Sequence, residues 1–218
     1  MARLLIVTAV EAERAAIAAA LDAASTEVAS PDVSLLVGGV GPASAAAAAS
    51  AELAAGGYDL VLAAGIGGGF APLDPGAIAV ASSAVFADLG AESADGFVPL
   101  SELGFGGERY DVDPQLAIEL ADVTGGRLGT VLTVATVTGT AATAEQLIAR
   151  YPDAVAEAME GAGVAAAAVR HGVRFAELRA ISNVVGPRDR DAWPIPDALA
   201  ALGGAVSAVC VHAQGWMP

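Results

Sequence analysis

The chain has 218 residues, 55% of them hydrophobic but only 5% aromatic, with ten basic residues against 25 acidic ones and a formal net charge of −15. That length can bury a core in one large domain or two small ones. The acidic balance, in which every cation is an Arg, leaves no basic stripe for a nucleic-acid partner.

From the N-terminus, "LLIVTA" is apolar and β-branched enough for a buried strand, and it runs directly into the Ala-rich helical stretch "EAERAAIAAALDAA". That acidic junction marks a strand rather than a signal peptide. "VSLLVGG" and "PASAAAAASAELAAGG" repeat the pairing, and "YDLVLAAG" and "AIAVASSAVFADL" follow. Residues 88–112, rich in Gly and acidic side chains, are too long for a routine connection and read as an irregular functional loop or lid. "GTVLTVATVT", "TAEQLIARY", "AVAEAMEGAGVAAAAVRHG" and "VRFAELRAIS" restore the alternation, and a helical stretch closes the chain after the Pro-rich "WPIP". Such alternation predicts an α/β fold with helices on both faces of a largely parallel sheet. No linker or repeat divides it, so residues 1–218 are expected to form one domain. No uninterrupted apolar run reaches the ~18–20 residues of a bilayer span, which predicts a soluble, cytoplasmic protein with no membrane partner.

Cys210 is the single cysteine, which excludes an internal disulfide framework, and His171 and His212 alone give no metal-ligand cluster. His171, in the polar turn "RHGVR", reads as an ordinary exposed residue. Ligands in α/β sheets bind at the carboxyl ends of strands, and the informative residues fall there. "GVGPAS" and "GIGGGF" are glycine loops that do not complete a dinucleotide fingerprint. Their glycines serve either tight turning or close backbone approach to a flat ligand. Glu11 and Glu13 follow the first strand. Each is either a first-turn helix acid or a carboxylate able to take a proton from water. Glu160, flanked by Met159 and an uncharged run in "AEAMEGAGVAAAA", is either a helix N-terminal acid or an acceptor for two vicinal hydroxyls. Asn183 ends "RAISN" and opens "VVGPRDRDAW"; it either caps that loop or meets a ligand.

"TAVEAE", "GGVGPASAA", "AGIGGGF", "AMEGAGVA" and "RAISN", in that order, resemble the purine nucleoside phosphorylase and methylthioadenosine/S-adenosylhomocysteine nucleosidase family over nearly the full chain. "VFADLGAES", "TVTGTAAT" and "SNVVGPRDRDAW" are similar to its futalosine hydrolase branch. The resemblance implies a three-layer αβα fold with a mixed central sheet, a small-molecule nucleoside substrate, a homo-oligomer, and no metal or organic cofactor. It implies Glu13 as the carboxylate that activates water. Met159 and Glu160 lie beneath the ribose, with Glu160 on the 2′- and 3′-hydroxyls. Gly65, Ile66, Gly67 and Phe70 match the Gly-rich turn beside base and sugar, with Ile66 where many relatives carry Ser. Thr136 and Thr138 fall near the base-binding segment.

Asn183 takes the place of a catalytic Asp in the methylthioadenosine-type nucleosidases. A 6-oxopurine offers acceptors at N7 and O6, whereas adenine pairs an N7 acceptor with an N6 donor. The Asn NH₂ suits the former, and it strengthens as negative charge grows on the leaving base. Arg188 and Arg190, just beyond, either grip the carboxylate of a futalosine tail or pair with Asp189 and Asp191 at the surface. No cation occurs between Arg14 and Arg109, so water is expected as the acceptor rather than phosphate.

Overall fold

The computed structural model describes residues 3–24, 32–187 and 194–212. Strands β1 (Arg3–Thr8), β2 (Asp32–Val37), β3 (Leu60–Gly69), β4 (Ile78–Phe86), β8 (Arg127–Thr133), β9 (Ala154–Ala158) and β10 (Arg174–Val184) form the main sheet, with the short β7 (Arg109–Asp111) paired to β4. Helices α1 (Glu11–Ala24), α2 (Pro42–Ala54), α3 (Pro114–Thr124), α4 (Ala141–Arg150), α5 (Gly161–His171) and α6 (Ile195–His212) connect or follow them.

β3 organises the sheet. Along one edge it runs parallel to β10 over its whole length. Its other edge is shared: Leu60–Ala63 pair in parallel with β1, and Gly68 and Gly69 pair antiparallel with β9. Because β10, β4, β8 and β9 are linked in turn, the sheet closes on itself through β3. The sheet is largely parallel, through β1–β2, β1–β3, β3–β10, β4–β8 and β8–β9. It is nonetheless mixed, as the family likeness implies, because β3–β9, β4–β10 and β4–β7 are antiparallel.

β1, β3, β9 and β10 are buried on both faces, which is why they read as largely apolar runs; Leu4, Leu5, Ile6, Leu60, Val61 and Leu62 are fully inaccessible. α2 and α5 pack together on the sheet, and α6 packs against α1 and α3. The α2–α5 crossing is close because α5 carries Gly163, where a Cβ would collide with the Pro42 carbonyl oxygen. By length and composition alone α6 could span a bilayer. Its apolar face is instead core, with Leu202, Val206 and Val209 fully buried.

Two expectations are corrected. "GIGGG" is the end of β3 and not a loop. Residues 88–112 are irregular only in part: β5 (Gly90–Ser93) and β6 (Gly96–Pro99) form a hairpin and β7 joins the sheet, while 100–108 are largely turns and bends. Asp88 accepts the Ala135 N–H at 2.7 Å, and Arg150 lies 4.2 Å above the Phe97 ring, which fastens the hairpin to the body.

Candidate active site

The C-terminal ends of β1, β3, β9 and β10 meet at a cavity of about 310 Å³. Of the residues expected from the sequence, it brings together Glu13, Ile66, Gly67, Thr138, Met159, Glu160 and Asn183. They arrive from separate strand ends and helix starts.

Glu13 is the third residue of α1 and is 3% exposed. Its Oε2 accepts the Ala9 and Val10 N–H groups at 2.8 and 3.2 Å, satisfying donors that open the helix. Its Oε1 crosses to β3 and accepts the Ile66 N–H at 2.9 Å. Glu13 is thus a first-turn helix acid that also lines the cavity. Glu11 is exposed and paired with Arg14, so neither side chain enters the cavity.

Glu160 sits at the N-cap of α5 without capping it. Its Oε1 accepts the Gly41 N–H at 3.2 Å, and Oε2 meets Arg179 Nη1 at 3.2 Å. Arg179 and Glu177, two apart on β10 and therefore on one face, form a second ion pair at 2.9 Å. Burial works against the Arg179 charge, but Glu177, Glu160 and Glu13 outweigh it and hold its pKa above the ordinary arginine value. Burial pushes Glu177 up, with Arg179 opposing. Gly65 makes this cluster possible, because a Cβ there would lie 2.7 Å from both Glu13 Oε1 and Arg179 Nη1. Gly65 lies within β3 and outside the cavity lining.

Asn183 is the penultimate residue of β10, half-buried beside a bulge at Ser182. Its Oδ1 accepts from the Ser182 hydroxyl at 2.9 Å, and Nδ2 donates one of its two hydrogens to the Val184 carbonyl at 3.0 Å. Gly68 pairs with Asn183 on one side and Glu157 on the other. Glu157, 5% exposed, lines the same cavity and accepts the Thr138 N–H and hydroxyl. Burial raises its pKa, against those two hydrogen bonds.

Other expectations fall elsewhere. Phe70 is core, packed with Val85, Leu132 and Val185. Thr136 is exposed and lines a neighbouring cavity of about 450 Å³ with Asp88, Phe97 and Arg150. Arg188 and Arg190 lie outside the described residues. His171 is exposed, 2.9 Å from the Ser50 hydroxyl, and burial pushes the Cys210 thiol up to about 12, which removes it as a nucleophile. Sequence reasoning missed Glu157, Glu177 and Arg179. The available signal was opposite charges two apart inside an apolar strand, "FAELRAIS".

The family model described as the phosphorylase superfamily matches residues 3–212. The chain belongs to that superfamily. Within it, the futalosine hydrolase of Streptomyces coelicolor is 52% identical to the chain, covering 99% of this chain and 98% of that protein. The 5′-methylthioadenosine/S-adenosylhomocysteine nucleosidase of Neisseria meningitidis, solved with methylthio-immucillin-A, matches with a TM-score of 0.79 at 18% identity, over 96% of this chain and 98% of that one. The native futalosine hydrolase of Helicobacter pylori matches with a TM-score of 0.78 at 17% identity, over 95% and 97%. At those identities the two structures establish a shared fold.

Proposed function

We propose that this chain hydrolyses the N-glycosidic bond of futalosine, releasing hypoxanthine and dehypoxanthinyl futalosine in the alternative menaquinone route. Its similarity to a curated futalosine hydrolase along the full chain supports the substrate. One observation carries the choice of water over phosphate. Among the described residues, the cavity lining holds three carboxylates, Glu13, Glu157 and Glu160, and no Arg, Lys or His. A phosphate dianion needs cations beside the anomeric carbon, and Arg179 is already committed to Glu160 and Glu177.

In this reading Glu13 takes a proton from water as the water oxygen bonds to the anomeric carbon. The glycosidic electron pair leaves with the base, where the second Asn183 amide hydrogen meets N7 or O6. Such a donor is worth roughly 2.7–4 kcal/mol in comparable anion sites. Glu160, fixed by Gly41 and Arg179, accepts the ribose hydroxyls. The same reading includes one nucleosidase domain in a cytoplasmic homo-oligomer, supported by the family likeness; light scattering measures the assembly.

Purified protein is to be incubated with futalosine, inosine and methylthioadenosine, with and without phosphate, and released base separated by chromatography. Hypoxanthine from futalosine without phosphate is expected; release that requires phosphate would make the enzyme a phosphorylase. The futalosine tail carries a carboxylate for which the described lining supplies no cation. Ala at Arg188 or Arg190 is expected to raise KM for futalosine more than for inosine, and equal effects would exclude a tail contact.

A further inference from the structure

Glu157 has no part in the scheme above, yet it is a buried carboxylate facing the cavity in which the scheme operates. Its place follows from the sheet. Gly68 lies between Asn183 on β10 and Glu157 on β9, in register with both. Neighbouring strands are about 4.7–4.9 Å apart, so the two flanking residues stand roughly 9–10 Å from each other at the backbone. Gly68 puts no side chain between them, and a Cβ there would meet Asn183 Nδ2 at 3.3 Å and Val185 at 2.8 Å. The result is a slot floored by glycine, with a carboxamide on one side and a carboxylate on the other.

A purine whose N7 and O6 face Asn183 turns N1 toward Glu157. There the two purine classes differ: N1 of a 6-oxopurine carries a hydrogen, whereas N1 of adenine carries a lone pair. The Thr138 N–H could have served that lone pair, but it is donated to Glu157 Oε1 at 2.8 Å. Each carboxylate oxygen has two acceptor sites, and Thr138 takes one from each. We propose that Glu157 is a specificity-determining residue whose carboxylate accepts the N1–H of a 6-oxopurine and rejects the N1 lone pair of adenine. Discrimination of this kind is strong because the wrong base leaves a buried polar group unpaired. The carboxylate opposes the negative charge that grows on the leaving base, so Glu157 acts on binding and selection, and on KM more than kcat.

This role presupposes the nucleosidase reading, so free-base binding is measured as well as turnover, and the two can fail separately. Calorimetric titration of the full chain with hypoxanthine and adenine compares wild type with Glu157→Gln. The Gln carbonyl keeps a bond to Thr138 while its NH₂ presents a donor to the slot. The ratio of hypoxanthine to adenine affinity is expected to fall at least ~10-fold, on the scale of one base-edge contact. Equal losses for both bases would reduce Glu157 to a brace for Thr138 and overturn the proposal. Wild type alone supplies a second test that needs no variant: 1-methylhypoxanthine, which lacks N1–H, is expected to bind at least ~10-fold more weakly than hypoxanthine. Equal binding would overturn the proposal. An intact base preference in a protein that hydrolyses nothing would support the role of Glu157 and sink the nucleosidase reading.

Discussion

Asn183 lies one residue from the end of β10 with its carboxamide bonded to its own neighbours, Ser182 and Val184, while the same residue forms part of the cavity wall. Asn183→Asp is expected to depress futalosine hydrolysis, because an ionised Asp repels N7 and O6. The adenine-containing analogue, aminofutalosine, should suffer less, since a protonated Asp can donate to N7 and accept from N6. The ratio of kcat/KM values should move at least ~10-fold, about 1.4 kcal/mol. Equal losses on both substrates at every pH would leave Asn183 as a loop cap. Glu157 gives a stability test. Burial raises its pKa above the ordinary 4.5, so the folded protein binds that proton more tightly than the unfolded chain. The penalty for ionising it is absent below the unfolded value and grows as pH rises through the folded one. Glu157→Gln removes that penalty, so its gain in Tm over wild type should be larger at about pH 8 than at about pH 4. The placement of Glu13, Glu160 and Asn183 is legible in the sequence because each is a polar residue at the boundary of an apolar run. That of Glu157 is not, because its partner Thr138 lies 19 residues away. The Glu177–Arg179 spacing is readable, but the reach of Arg179 to Glu160 is joined only by folding.

At the scale of elements, glycines in strands and helices are close-approach positions. Gly163→Ala would force a Cβ against the backbone of Pro42. Overpacking of this kind costs typically ~1–3 kcal/mol, which should appear as a lower urea midpoint at unchanged slope. Activity should fall too, since Gly41, next to Pro42, donates to Glu160. Gly204 in α6 is exposed, and a Cβ added there would meet nothing within 4 Å. Gly204→Ala is therefore the control, expected to stabilise by about 0.4–1 kcal/mol. The strand–helix alternation is readable because Ala-rich helices and β-branched strands differ so sharply. The closing of the sheet is not, because it depends on β3 sharing one edge between β1 and β9. α3 escapes the alternation pattern although Asp113 caps it, Pro114 opens it and Gly125 ends it in the left-handed conformation.

Over the whole molecule, a formal charge of −15 and an acidic cavity point the same way. The chain lacks Lys, and Arg3, Arg14, Arg109 and Arg179 are each held by carboxylates. Anions are repelled from the outside and, among the described residues, find no cation in the cavity lining. Neutral water can enter without that penalty. The source of the oxygen added to the sugar is therefore the most direct test of the central claim. Futalosine is to be turned over in ¹⁸O-labelled water with and without inorganic phosphate, and the sugar product analysed by mass spectrometry. The expected result is one labelled oxygen in dehypoxanthinyl futalosine, a rate unchanged by phosphate, and loss of at least ~10²-fold in Glu13→Gln. A sugar 1-phosphate, or label incorporated at the wild-type rate by folded Glu13→Gln, would contradict it.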